Sequence, residues 1–437
     1  MDDTHWSTFR KYAKRVKTFH GREARLVPVQ VKQEFISSLQ HCPEAYFPLL
    51  PNVTELEWGE LSYSTLEDSS ISLLRCFAGP TVTTFTLSLM RWLAYSSAEL
   101  AVLADLPRLC PNVTSFTATV GFSCEYEPSR EAVGRMVTQW PRLRTLRTCA
   151  FAQPVMDQLF SRRTLETIHI DYHSSSPSYV GRIPDAVREF TLGADNPSSC
   201  MRFFENVYAS PTRLCLLIGM DEGKEADIEE AFHILPRRLD ISRFLSLTIQ
   251  PTSSIVGIPM WCTLRLREPL LSPLVGFTAL RELDLDLLCT AQMSDADYAC
   301  MAGSLTHLRS LKLGTANPSI TRPWPAASVG AVIAVLRHCK HLETLHIVFD
   351  GSIPPPGGST MQDCQAAPSE ELACQGWNVS NRCITELCVG YSPIRDATIN
   401  AIASCFKSII PCLVQIECKD RDEEWRLVQN ILNSKSY

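Results

Sequence analysis

The chain has 437 residues, 45% of them apolar, which is enough to bury a large core. Its 41 basic and 47 acidic residues leave a formal charge of −6, so the body of the protein is not built to bind nucleic acid. No apolar run reaches the roughly 18 residues of a membrane span. The opening MDDTHWSTFRKYAKR lacks the apolar core of a secretory signal, so a cytoplasmic or nuclear protein is expected.

Residues 1–25 are locally basic, and Trp6, Phe9, Tyr12, Ala13 and Val16 recur at helical spacing. That pattern predicts an amphipathic helix acting as a lid. RVKTFHG at 15–21 reads as a degenerate strand, and 26–52 as a helix running into a proline-marked turn. Residues 1–52 are therefore expected to form an N-terminal helical cap and a degenerate first repeat.

From Val53 a six-residue block recurs whose first, fourth and sixth positions are apolar. It reads VTELEW at Val53, VTTFTL at Val82, VTSFTA at Val113, LRTLRT at Leu143, LETIHI at Leu165 and VREFTL at Val187. RLCLLI at Arg213 and FLSLTI at Phe244 are weaker copies. LRELDL at Leu280, LRSLKL at Leu308, LETLHI at Leu342, ITELCV at Ile384 and LVQIEC at Leu413 complete the series. Only Arg213 and Thr148 break the first and sixth positions. A strand alternates its side chains, so the fourth and sixth residues share a buried face. The L-x-x-L-x-L spacing is that of a leucine-rich repeat. Between blocks, Ser96, Ser129, Ser294 and Asp396 each precede a helical pattern, with Glu99 completing a capping box after Ser96. The expected fold is an α/β leucine-rich-repeat solenoid, a horseshoe with a parallel sheet on its concave face and helices on its convex face. It runs over 53–418, carries a proline- and glycine-rich loop insertion at 350–382, and ends in a capping helix at 419–437.

Eighteen cysteines without a signal or a regular ladder predict reduced thiols, and Cys289, Cys300, Cys339 and Cys405 sit where a repeat wants a small apolar side chain. The sequons Asn52-Val-Thr54 and Asn112-Val-Thr114 coincide with strand starts, while Asn378-Val-Ser380 falls in the insertion. No catalytic, phosphate-binding or dinucleotide motif is present, so no enzyme activity, metal or cofactor is expected. His169-Ile-Asp171-Tyr-His173 has alternate residues on one strand face and reads as a polar surface ridge, as does the pair Asp284 and Asp286. The remaining candidates line the concave face at the second, third and fifth block positions. They are Arg144, Arg147, Glu166, His169, Arg188, Arg281, Glu282, Asp284, Arg309, Lys312 and His346. A polar floor of mixed sign suits a protein partner, because charge complementarity sets encounter rate and specificity.

ITELCVGYSPIRDATINAIASC at 384–405 and LRELDLDLLCTAQMSDADYACMAG at 280–303 approximate a cysteine-containing repeat, and WSTFRKYAKRVKTF at 6–19 is similar to the segment that follows an F-box. On these residues the chain resembles the leucine-rich-repeat portion of fungal F-box/leucine-rich-repeat proteins. The resemblance implies a substrate-recognition subunit of an SCF-type ubiquitin ligase. No F-box is evident before Trp6, so the expectation extends to substrate binding and leaves recruitment of the ligase adaptor open. The alternative is a regulatory inhibitor or scaffold on similar repeats, unrelated to ubiquitination.

Overall fold

A computed structural model of the chain describes residues 3–20, 47–59, 70–89, 96–120, 127–219, 225–252, 265–266, 271–287, 290–316, 324–355, 379–419 and 422–434. The expected helix within 26–52, most of the insertion 350–382, Cys289 and Asn378 lie outside the described residues. Two compact units are present, Met1–Leu192 and Gly193–Tyr437. Each is a leucine-rich-repeat solenoid of the α/β class.

In the first unit, helix α1 (Asp3–Ala13) buries Trp6 and Ala13, one heptad apart, while Tyr12 faces solvent. Strand β1 (Thr18–His20) follows and pairs in parallel with β2 (Glu55–Gly59). Strands β3 (Thr84–Leu89), β4 (Ser115–Val120), β5 (Thr145–Cys149) and β6 (Thr167–Tyr172) add in order, all parallel. Strand β7 (Glu189–Ala194) crosses the unit boundary. Helices α2 (Ser97–Leu109), α3 (Glu127–Val137) and α4 (Gln153–Phe160) connect successive strands. The first, fourth and sixth block positions are buried throughout, from Val53, Leu56 and Trp58 to Val187, Phe190 and Leu192. Trp140 is fully buried against Phe85 and Phe116 and donates its indole N–H to the Cys110 carbonyl at 2.9 Å.

Helix starts follow local chemistry at Ser96 and Ser294 but not at Ser129 or Asp396. Asp396 lies in a 3-10 turn (Asp396–Thr398) before a helix that starts at Ile399 without a side-chain cap. Ser96 and Glu99 form the expected capping box, but α3 begins at Glu127 rather than after Ser129. The displaced Ser129 hydroxyl is buried and has no hydrogen-bond partner among the described residues. The two sequons have a structural role. Asn52 and Asn112 donate their side-chain amides to the carbonyls of Lys14 and Pro80, at 2.7 and 2.8 Å. Thr54, Thr83 and Thr114 donate hydroxyls to the carbonyls of Lys17, Thr54 and Thr83. Each of these bonds satisfies backbone where one repeat meets the next.

The second unit repeats this plan with β8 (Arg213–Ile218), β9 (Ser246–Pro251), β10 (Glu282–Asp284), β11 (Ser310–Leu313), β12 (Thr344–Ile347), β13 (Glu386–Gly390) and β14 (Gln415–Cys418), parallel in that order. Its helices are α5 (Pro197–Asn206), α6 (Glu225–Arg238), α7 (Asp295–Ser304), α8 (Val329–His338), α9 (Ile399–Ile409) and α10 (Asp422–Asn433). Register corrects one block. Arg213 pairs with Ser246, the third residue of its block, so the preceding block starts at buried Pro211 and not at Arg213. A slip of two residues keeps every side chain on its face, which is why the apolar pattern alone fits both starts. A further correction concerns Cys300, which is exposed, whereas Cys339 and Cys405 occupy the buried positions expected of them.

Ser294 and Asp297 form a capping box on α7. The first residue of that helix, Asp295, accepts hydrogen bonds from the Ser328 N–H and hydroxyl at 2.7 and 2.6 Å, coupling the starts of α7 and α8. At the end of the array, α10 buries Trp425, whose indole N–H donates to the Ser392 carbonyl at 3.0 Å. The Gln429 carboxamide accepts from the Ile416 N–H at 2.6 Å and donates to the Val414 carbonyl at 2.7 Å. A side-chain amide thus stands where a further strand would pair, closing an edge that would otherwise template association.

Candidate functional site

Each sheet leaves one face open, carrying the third and fifth residues of the blocks, while the second residues stand at the strand entries. In the first unit the fifth positions form one row in register: His20, Glu57, Thr86, Thr117, Arg147, His169. The third positions form a row of Thr18, Glu55, Thr84, Ser115, Thr145 and Thr167. Hydroxyls therefore dominate this face, and most of its charges are paired. His20 Nδ1 lies 2.7 Å from Glu57, and Arg144 lies 3.7 Å from Glu166. His169 Nε2 lies 2.9 Å from Asp171, so these two members of the His169/Asp171/His173 ridge pair with each other. Arg188 is exposed beside this face. Arg147 is exposed and makes no ion pair among the described residues.

In the second unit the fifth-position row is Cys215, Thr248, Asp284, Lys312, His346, Cys388 and Glu417. Lys312 lies 3.3 Å from Asp284, Arg309 3.3 Å from Glu343, and Arg213 3.8 Å from Glu282. Arg281 is exposed at its strand entry, with no ion pair among the described residues. The expected candidates in this unit thus lie together, but largely as pairs bridging neighbouring strands.

Asp286 does not belong to a surface ridge with Asp284, because it is buried. Its carboxylate accepts from the Thr315 backbone N–H at 2.5 Å and from the Thr315 hydroxyl at 2.9 and 2.8 Å, and His346 Nδ1 stands 3.5 Å away. Burial pushes the Asp286 carboxyl up, but the hydrogen bonds from His346 and Thr315 outweigh it and hold the group below the usual carboxylate value. The Cys388 thiol donates to the Thr315 hydroxyl at 3.4 Å, and burial raises that thiol above its ordinary value. Gly314 (φ 70°) turns the chain at the strand exit, just before Thr315. Gly390 (φ 54°) lies so close that a Cβ there would meet Thr315 at 2.7 Å. The knot therefore joins four repeats: His346 and Cys388 come from the fifth-position row, while Asp286 and Thr315 come from the strand exits, which the apolar spacing does not mark.

Among the described residues no group of three or more His, Cys, Asp or Glu side chains could hold a metal ion, and no helix is long and apolar enough to cross a membrane. No family model matches the chain. No curated protein matches it by sequence. Among solved structures it is similar to the leucine-rich repeat-containing protein LegL7 from Legionella pneumophila, at 16% identity and TM-score 0.35, covering 69% of this chain and 93% of that one. It is also similar to a chain of the Rad7 and Elc1 complex in yeast, at 10% identity and TM-score 0.32, covering 96% of this chain and 90% of that one.

Proposed function

We propose that the chain is a non-enzymatic protein-binding scaffold of the cytoplasm or nucleus. Its partner lies on the open face of the repeat sheet, with Arg147 as the principal charged contact of the first unit. The observation that carries this reading is the contrast in charge pairing. Arg144, Arg213, Arg309 and Lys312 lie within 4 Å of a carboxylate, while Arg147 sits exposed between Thr117 and His169, beside the third-position row of hydroxyls, with its guanidinium uncommitted among the described residues. A solvated arginine whose charge is not offset locally acts by steering an acidic partner surface and by bidentate contact once docked.

The finer reading is a substrate-recognition subunit of an F-box-type ubiquitin ligase, supported by the repeat and N-terminal resemblance read from residues 6–19, 280–303 and 384–405. The regulatory inhibitor or scaffold is the competing reading. Affinity purification of the tagged chain from its native cell, followed by quantitative mass spectrometry, separates the two. Recovery of a ligase adaptor and a cullin supports the subunit. Recovery of a stable partner without either supports the inhibitor, and partner recovery unchanged by Arg147→Glu refutes the assigned surface.

A further inference from the structure

Most described cysteines are buried, but Cys300, Cys383 and Cys412 are exposed thiols. Two of these three occupy the same place in successive repeats, each immediately before the first residue of a block, Ile384 and Leu413. The segments around them run side by side. Below the pair, the Asn381 N–H donates to the Ile409 carbonyl at 2.8 Å; above it, the Val414 N–H donates to the Thr385 carbonyl at 2.8 Å. Glu386 then pairs with Gln415, an offset of three residues from Cys383 and Cys412 alike. Neighbouring parallel strands stand ~4.8 Å apart. That spacing lies inside the ~4.4–6.8 Å Cα separation that a disulfide spans. The Cys383 turn is pinned further by its own N–H, which donates to Asn381 Oδ1 at 2.8 Å.

The next repeat on the other side supplies an imidazole. Leu345 pairs with Leu387, which aligns exposed His341 with Cys383, and Asn381 Nδ2 donates to the Leu342 carbonyl at 3.0 Å between the same two segments.

We propose that Cys383 and Cys412 form a redox-responsive dithiol site that oxidises to an inter-repeat disulfide at the end of the array, with a low-molecular-weight disulfide such as oxidised glutathione as the oxidant. The Cys383 thiol passes its proton to His341, and the thiolate attacks one sulfur of glutathione disulfide. That step forms a mixed disulfide and releases one glutathione thiolate, which takes up the proton. The Cys412 thiolate then attacks the Cys383 sulfur, forming the Cys383–Cys412 bond and releasing the second glutathione, which takes the proton Cys412 gave up. Two protein thiols lose two electrons and two protons, and one glutathione disulfide becomes two thiols. Cys300, exposed on α7 with no other exposed thiol in register beside it among the described residues, is the internal control and stops at a mixed disulfide. The inference stands independently of the proposed partner-binding face.

The test treats the folded full-length chain with oxidised glutathione and follows intact mass and peptide mapping with time. The expected product is a Cys383–Cys412 cross-linked peptide, with the loss of two hydrogens and slowed amide exchange at 414–418. Cys412→Ser should stall Cys383 as its glutathione adduct, and Cys383→Ser should abolish the cross-link. His341→Gln should slow the first step severalfold and leave the end product unchanged. Separate glutathione adducts on Cys383 and Cys412 without a cross-link, or a cross-link from either to another cysteine, overturn the proposal. An unchanged rate in His341→Gln overturns the proton-accepting role.

Discussion

The two units build their sheets from the same six-residue block yet present different open faces. In the first, a row of threonine and serine runs beside Arg147, which makes no ion pair among the described residues. In the second, charges lock into pairs between strands, and Asp286 lies buried under Thr315 with His346 beside it. A hydroxyl carries no charge of its own and leaves a neighbouring charge available to a partner. A face of mutual ion pairs has largely spent its charge inside the fold. The comparison teaches that polar positions in a repeat divide between recognition and internal cohesion, and that charge type alone does not separate them.

The harshest way to break the comparison is to remove the shared framework. Leu283 is fully buried between Leu247 and Leu311 in register, so Leu283→Asp should cost about 4 kcal/mol or more by burying an unpaired carboxylate. Denaturant unfolding should then show the second unit losing its transition while the first keeps its own. Equal loss in both would mean that the units do not unfold separately.

The next effect separates the faces by pH. Asp286 has its folded-state value held below the ordinary one. Its contribution is therefore present above the unfolded carboxyl value and is lost as pH falls through the lower folded value. Asp286→Asn should cost about 1–3 kcal/mol at neutral pH, and its difference from the parent should shrink as pH falls below about 4. Denaturation midpoints measured at both pH values check this, and a difference that does not change with pH would show that the carboxylate charge is not what holds the knot.

A smaller effect of opposite sign is expected in the first unit. Thr148 fills an apolar sixth position, almost fully buried, and its hydroxyl has no hydrogen-bond partner among the described residues. Thr148→Val keeps the shape and removes the unsatisfied group, so it should stabilise the unit by about 1 kcal/mol. A lowered melting temperature would show that the hydroxyl is satisfied in solution.

The smallest change in stability belongs to Arg147→Glu, about 0.5 kcal/mol or less for an exposed side chain. Its effect should fall on binding: slower association with the partner and a weaker dependence on salt. On the helical face Arg130 is a poor control, since its side chain is only 11% exposed and pairs with Glu127. Arg135 on the same helix, with its side chain 65% exposed, is the better one. Binding abolished by Arg135→Glu and spared by Arg147→Glu would place the partner on the helical face instead.

The repeat architecture was legible from residues alone, because burial of the first, fourth and sixth block positions is a local requirement written into each strand. Leu280, Leu283 and Leu285 state it without reference to any other repeat. The capping boxes at Ser96 and Ser294 are legible for the same reason, since each closes within one helical turn. What spacing left open is what register decides. The block at Pro211 reads equally well from Arg213, and Asp286 reads as a neighbour of Asp284 although the strand exit carries it beneath Thr315. Arg147 and Arg144 look alike in sequence, but only the neighbouring repeat places Glu166 within reach of Arg144 alone. Cys383 and Cys412 become neighbours in the same way. Each residue's own face follows from its place in the period of its strand, whereas its partners come from other repeats, and only the stacking of those repeats decides which side chains meet.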